Sequence, residues 1–145
     1  VPAILDAEIA EHHVLDVLTG IADHVIFSER GLSSWASERI EDGLRKVIGK
    51  GAQVAAVTRG AQGVTWMAAD DPHSLKQCPA FEVKVVDTLA AGDVFHGAYA
   101  LAIAEGIKIA DAMRFASAAA AIKCARAGGR AGAPTRTEVD DFLRR

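Results

Sequence analysis

The chain has 145 residues, 50% of them hydrophobic and 24% charged, and carries a formal net charge of −3. That length suits one globular domain with a real core. The slight acidity and the lack of any Lys/Arg cluster exclude an electrostatic footprint for nucleic acid, and no apolar run reaches the length of a membrane span. Cys78 and Cys124 follow no metal-ligand spacing and read as free thiols of a reducing cytosol. No signal-peptide pattern opens the chain, so a cytoplasmic location is expected.

Ala3-Ile4-Leu5-Asp6 reads as a short apolar strand, and a helix is expected from Ala10 to Leu18, closed by Gly20. The first residues lack a Met and fall at once into a buried-type strand, which suggests a fragment of a longer protein. Asp6 is either a site residue at a strand's C-terminal end or an ordinary turn former. His12 and His13 have no third partner at metal spacing and read as solvated helix residues. Asp23-His24-Val25-Ile26-Phe27 is the next strand, ending at Ser28-Glu29-Arg30-Gly31. One amphipathic helix is expected from Ser33 to Ile48, with Ile40, Leu44, Val47 and Ile48 on its apolar face and Gly49 and Gly51 at its end. Trp35 near its start reads as packing.

Gln53 to Thr58 is a continuous apolar strand of the buried type. Thr58-Arg59-Gly60-Ala61-Gln62-Gly63 and a further strand, Val64 to Ala68, follow. The two glycines fit a plain hairpin turn, or a loop whose backbone N–H groups approach an anion. The polar run Asp70 to Gln77, with Pro72, reads as a turn or exposed connection, and the β-branched run ending in Val83 to Val86 as a strand from Phe81. From Ala91 onward Val94, Phe95, Ala98, Leu101 and Ala102 recur at helical spacing. A helix from Ile109 to Arg126 has a small face of Ala112, Ala116, Ala119 and Ala120. A glycine-rich loop, Gly128 to Pro134, leads to a last helix that starts at Thr135 or Thr137 and runs to Leu143. Apolar strands alternating with helical patterns predict an α/β fold with a largely parallel sheet, its active residues at the strands' C-terminal ends.

Chemistry concentrates in Asp87-Thr88-Leu89-Ala90-Ala91-Gly92-Asp93. A small-residue turn feeding a helix aims the first, unpaired N–H groups of that helix at one spot, where an anion is favoured. Asp93 puts a carboxylate in the same first turn. Such a site suits a reaction that develops negative charge and needs a proton removed.

This stretch resembles the D-T-x-[GA]-A-G-D motif of the PfkB/ribokinase-like carbohydrate kinases, with Ala90 where many members have Gly. The resemblance spans essentially all 145 residues and implies the C-terminal, ATP-binding and catalytic portion of a kinase domain, without the N-terminal strands and the lid. It implies a ribokinase-like three-layer α/β/α sandwich. Asp93 would be the general base toward a sugar hydroxyl, and the backbone of Ala90, Ala91, Gly92 and Asp93 the anion hole. Thr58, Arg59, Gly60, Ala61, Gln62 and Gly63 match the nucleotide loop T-x-G-x-x-G, with Ser117 and Gly92 also near ATP. His96 is a substrate contact or a helix-packing residue.

The strand end where many members carry N-x-x-E has Ser28 and Gly31 instead, so the magnesium role does not transfer directly. Ser28 would cap the following helix, and Glu29 would act on Mg2+ through water. Asp87, the carbonyl of Leu89, and backbone oxygens of Lys123, Arg126, Gly128 and Gly132 would form a monovalent-cation site for K+. Ser28, Arg114-Phe115, Lys123-Cys124 and Gly92 to Ala98 resemble ketose kinases. A ketose such as fructose or sulfofructose is therefore the expected substrate, with ribose, nucleosides and 2-keto-3-deoxygluconate as alternatives. A nucleotide-binding remnant without turnover is the reading from another class. Lid-mediated homodimers occur in the family; no nucleic-acid or membrane partner is expected.

Overall fold

The computed structural model describes residues 1–36 and 39–145, which form two compact units, Val1–Gln77 and Cys78–Arg145. The first holds β1 (Ile4–Ala7), α1 (His12–Leu18), β2 (His24–Ser28), α2 (Glu29–Ala36), α3 (Ile40–Gly49), β3 (Val54–Thr58) and β4 (Val64–Ala68). The edge strand β5 (Asp71–Cys78) ends at the boundary. The strands lie in the order β1-β2-β3-β4-β5. β1, β2 and β3 run parallel, as strands joined through helices must, with Ala7 opposite Phe27 and Ser28 opposite Thr58. β4 returns antiparallel to β3 through a short turn that sets Thr58 opposite Val64.

The expected α/β class with its parallel strands is therefore present. Val25, Phe27, Ala55, Val57 and Met67 pack with Leu15, Leu32, Trp35, Leu44 and Val47 in one buried cluster. Because His24 to Phe27 and Val54 to Val57 are buried without alternation, these strands read as unbroken apolar runs. Trp35 stacks on Phe27 with ring centroids 5.6 Å apart, and the Lys46 ammonium lies 4.4 Å from the centroid of the Trp35 ring.

Three expectations are corrected. The helix from Ser33 to Ile48 is two helices: α2 begins directly after β2 at Glu29, and Arg39 is extended before α3. Part of the expected span, residues 37 and 38, lies outside the described residues. Gly43 of α3 lies against Leu32 and Ala36 of α2, a side-by-side packing that one straight helix could not make. The polar run from 70 onward is the strand β5, whose exposure alternates along its length; as an edge strand it tolerates Pro72. The run 81–86 forms no strand. Val85 and Val86 are exposed, and the N–H groups of Val86 and Asp87 donate to the Cys124 carbonyl instead.

The second unit holds α4 (Ala91–Ala104), α5 (Ile109–Cys124) and α6 (Arg136–Leu143). Ala112, Ala116 and Ala119 are buried on α5, which packs closely on α4 as small residues allow. Burial pushes the Tyr99 phenol of α4 well above its ordinary pKa. Of the two threonines that could start the last helix, Thr135 does so. Its hydroxyl accepts from the Glu138 N–H while the Glu138 carboxylate accepts from the Thr135 N–H, a complete capping box. Glu138 also takes two hydrogen bonds from Arg126, and Arg136 pairs with Glu105 and Asp140. Among the described residues no helix is long and apolar enough to cross a membrane.

A Cβ on Gly31 would lie 2.4 Å from the Ala7 carbonyl oxygen, whereas one on Gly49 meets nothing within 4 Å. Gly31→Ala should therefore destabilise by about 1–3 kcal/mol or more. Gly49→Ala should be neutral or stabilising by up to about 1 kcal/mol, both read from urea unfolding. Arg126 first, then the Thr135 groups, hold the Glu138 carboxyl down to about 2 from its ordinary 4.5. Its contribution to stability is present above pH 4.5 and lost as pH falls toward 2. Glu138→Gln should be less stable than the parent at neutral pH, and the gap should close over that acid range.

Candidate active site

In the second unit, Asp87 organises the approach to α4. Its Oδ1 accepts from the Leu89 N–H at 2.9 Å and its Oδ2 from the Gly128 N–H at 3.0 Å. The Leu89 N–H first, then the Gly128 N–H and the Lys123 ammonium, hold its carboxyl below the ordinary range against a smaller opposing effect of burial. The Asx turn at Asp87 leads to Ala90, which caps α4 with φ 61°, the left-handed region. An L-residue there costs about 1–2 kcal/mol, so this position favours Gly and tolerates Ala only because the turn is held from outside.

The cradle is narrower than four N–H groups. The Ala91 N–H turns back to the Thr88 carbonyl at 3.1 Å, whereas those of Ala90, Gly92 and Asp93 meet no backbone acceptor among the described residues. Gly92 and Asp93 are exposed, and Asp93 is the acidic residue of the first turn. An exposed carboxylate beside outward N–H dipoles can accept a proton while those dipoles stabilise a neighbouring negative charge. His96 Nδ1 lies 2.8 Å from the Gly92 carbonyl, which can only accept, so that nitrogen carries the proton. Ser117 is buried midway along α5, with its Oγ 3.9 Å from Cys78 Sγ.

Lys123 is the residue whose sequence reading changes most. Its own carbonyl accepts from the Arg126 N–H, and the Gly128 carbonyl from the Gly132 N–H. Its side chain is 0% exposed, and its ammonium donates to the Asp87 carbonyl at 2.8 Å and the Arg126 carbonyl at 3.3 Å. The expected K+ ligand set of Asp87, Leu89, Lys123, Arg126, Gly128 and Gly132 thus contains a positive charge of the protein's own. Nothing in residue type or spacing distinguishes this lysine from a solvated one at a helix end.

In the first unit, the C-terminal ends of the three parallel strands gather polar groups, as open α/β sheets favour. Ser28 Oγ accepts from the Gly31 N–H at 3.0 Å, capping α2, and donates to Glu8 Oε2 at 2.7 Å. Glu8 is a residue the sequence reading passed over for Asp6, although it follows directly on β1. Glu29 Oε1 lies 3.5 Å from Arg59 Nε. Past Thr58, whose hydroxyl donates to the Phe27 carbonyl, the chain makes a tight turn with positive φ at Gly60 and Gly63. The Arg59, Gln62 and Gly63 N–H groups close this turn on itself. Those of Gly60 and Ala61 meet no backbone acceptor among the described residues, and both residues are exposed. No group of three His, Cys, Asp or Glu side chains that could hold a metal ion occurs among the described residues.

Comparisons with known proteins bear on the family and the fold of the chain. The ribokinase of Bacillus subtilis is 42% identical over 87 residues, 60% of this chain and 29% of that protein. The structure of Arabidopsis thaliana ribokinase complexed with ribose and ATP superposes with a TM-score of 0.84 at 28% identity, covering 99% of this chain and 47% of that one. Fructokinase from Vibrio cholerae, solved with fructose, ADP and calcium ion bound, gives 0.81 at 27% identity over 91% of this chain and 44% of that one. The chain therefore spans about half or less of the length of these relatives. The family model described as pfkB family carbohydrate kinase matches residues 1–136. By that match the chain belongs to the pfkB family of carbohydrate kinases.

Proposed function

We propose that the protein carrying this chain transfers the γ-phosphoryl group of ATP to a primary hydroxyl of a small sugar, residues 1–145 supplying the nucleotide-binding and catalytic part of the kinase domain. The observation that carries this reading is Asp93. It is an exposed carboxylate in the first turn of α4, beside the outward N–H groups of Ala90, Gly92 and Asp93 itself.

In this reading Asp93 takes the proton of the sugar hydroxyl as its oxygen attacks the γ-phosphorus, and the bond to the bridging oxygen breaks to release ADP. The charge that develops is met by the α4 N–H groups, which are already oriented and need no rearrangement. The Thr58–Gly63 turn holds the nucleotide phosphates chiefly through the N–H groups of Gly60 and Ala61; Arg59 lies against Glu29 and shapes the turn. Ser117, buried on α5, supports the nucleotide by packing. Magnesium would be held mostly by phosphate oxygens and water, as is usual for this ion, with Glu8 and Glu29 the carboxylates available to its water shell.

For the sugar, ribose is the first choice, supported by the ribokinases among the relatives. A ketose such as fructose is the second, supported by the likeness of Gly92 to Ala98 to ketose kinases and by the fructokinase neighbour.

ADP release by the full-length protein, measured against a panel of ribose, fructose and other sugars, tests the assignment. ATP binding without ADP release from any sugar would mark a nucleotide-binding protein without turnover. Asp93→Asn should lower kcat by about 10²–10⁴-fold and leave ATP affinity nearly unchanged. Unchanged turnover would remove Asp93 from the role of base.

A further inference from the structure

The C-terminal end of α5 gathers oxygen atoms of the kind that coordinate a monovalent cation, and a cation of the protein's own is already among them. Lys123 Nζ lies 2.8 Å from the Asp87 carbonyl oxygen, 3.3 Å from the Arg126 carbonyl oxygen and 3.6 Å from Asp87 Oδ2. The side chain is completely buried. A buried ammonium is heavily penalised unless every donor meets an acceptor, and here each of its three hydrogens has an oxygen to face. The carbonyl-rich end of the helix adds favourable dipoles, since Lys123 stands in the last turn of α5.

The neighbourhood is shaped around the lysine stem. Gly132 is buried, and a Cβ there would come within 3.0 Å of Lys123 Cδ. The same Asp87 carboxylate that faces the ammonium also accepts from the Leu89 and Gly128 N–H groups, so the charge is fixed between the turn before α4 and the loop after α5. A free potassium or sodium ion does not fit this donor set as it stands. It would have to share a buried pocket with the ammonium at Coulombic cost, and the Lys123 and Gly128 carbonyls already have partners within the chain.

We infer that the Lys123 ammonium is the protein's built-in monovalent cation, joining the Asp87 turn to the 125–132 loop, so that no free monovalent ion is bound or needed there. An ammonium and a potassium ion have the same charge and similar size, so one can satisfy oxygens arranged for the other. The inference rests on contacts within one unit and not on turnover.

The test uses the full-length protein. At constant ionic strength, potassium chloride is exchanged for choline chloride while the thermal unfolding midpoint is followed, and binding of thallous ion, a potassium surrogate, is measured by calorimetry. The parent protein should show no change in midpoint and no thallous binding. Lys123→Ala should unfold at lower temperature in choline, bind thallous ion, and recover part of the lost midpoint in potassium. A parent protein stabilised by potassium over choline overturns the inference. So does a folded Lys123→Ala protein with no potassium response, which would leave the lysine a packing residue only. Should the variant not fold, the parent titration decides alone. Neither readout involves a sugar or ATP, so a failed kinase assignment would leave this result standing.

Discussion

One charge pairing, of a fully buried ammonium with a partly exposed carboxylate, holds the second unit's candidate site in place. Asp87 and Lys123 come from segments distant in sequence, and the remaining contacts of the turn collect around them. The Cys124 carbonyl accepts from the Val86 and Asp87 N–H groups, and the Asp87 carboxylate accepts from Leu89 and Gly128. Removing Asp87 would leave the Lys123 ammonium buried without its counter-charge, which is far more destabilising than never having had the pair. The left-handed backbone at Ala90 persists because this surrounding set of bonds determines it from both sides. The direction in which the Gly92 and Asp93 N–H groups point is thus fixed by residues that have no chemistry of their own to perform.

In the first unit the corresponding constraint is the parallel pairing of β1, β2 and β3. Parallel register brings three strand ends to one edge, so Glu8, Ser28 and Thr58 arrive together without being neighbours in the chain. Polar groups there can be half-exposed, because the sheet supplies the burial and the loops need only complete their own hydrogen bonds. The Thr58–Gly63 turn does this with three of its N–H groups and keeps two outward. Both units therefore reach the same local solution, a short loop that satisfies itself except for the donors it presents.

What could be read from residues alone follows from how local each signal is. The buried strands β2 and β3, the helix beginning at Ala91 and the glycine turn at Gly60 and Gly63 all carry their cause within a few residues, and they stand where expected. The seven-residue motif was legible for the same reason, since the turn, the cap and the acid are contiguous. The misreadings are non-local. Val83 to Val86 have strand propensity but pair with no strand, and at the end of the run the Val86 N–H donates to the Cys124 carbonyl. The polar strand β5 exists because β4 offers it a partner. The break between α2 and α3 depends on Gly43 meeting Leu32 and Ala36, and the role of the Lys123 side chain on Asp87, 36 positions away.

The close approach of Gly31 to the Ala7 carbonyl limits what the strand-end edge formed by β1 and β2 can carry. By the family resemblance Ser28 and Gly31 stand where many members pair an Asn with a Glu, and this backbone leaves no room for a Glu at position 31. Any side chain at 31 would first have to push β1 away from α2, breaking the junction that the Ser28 cap now closes. An acid at this edge is instead carried by another position: Glu8, at the end of β1, takes a hydrogen bond from Ser28.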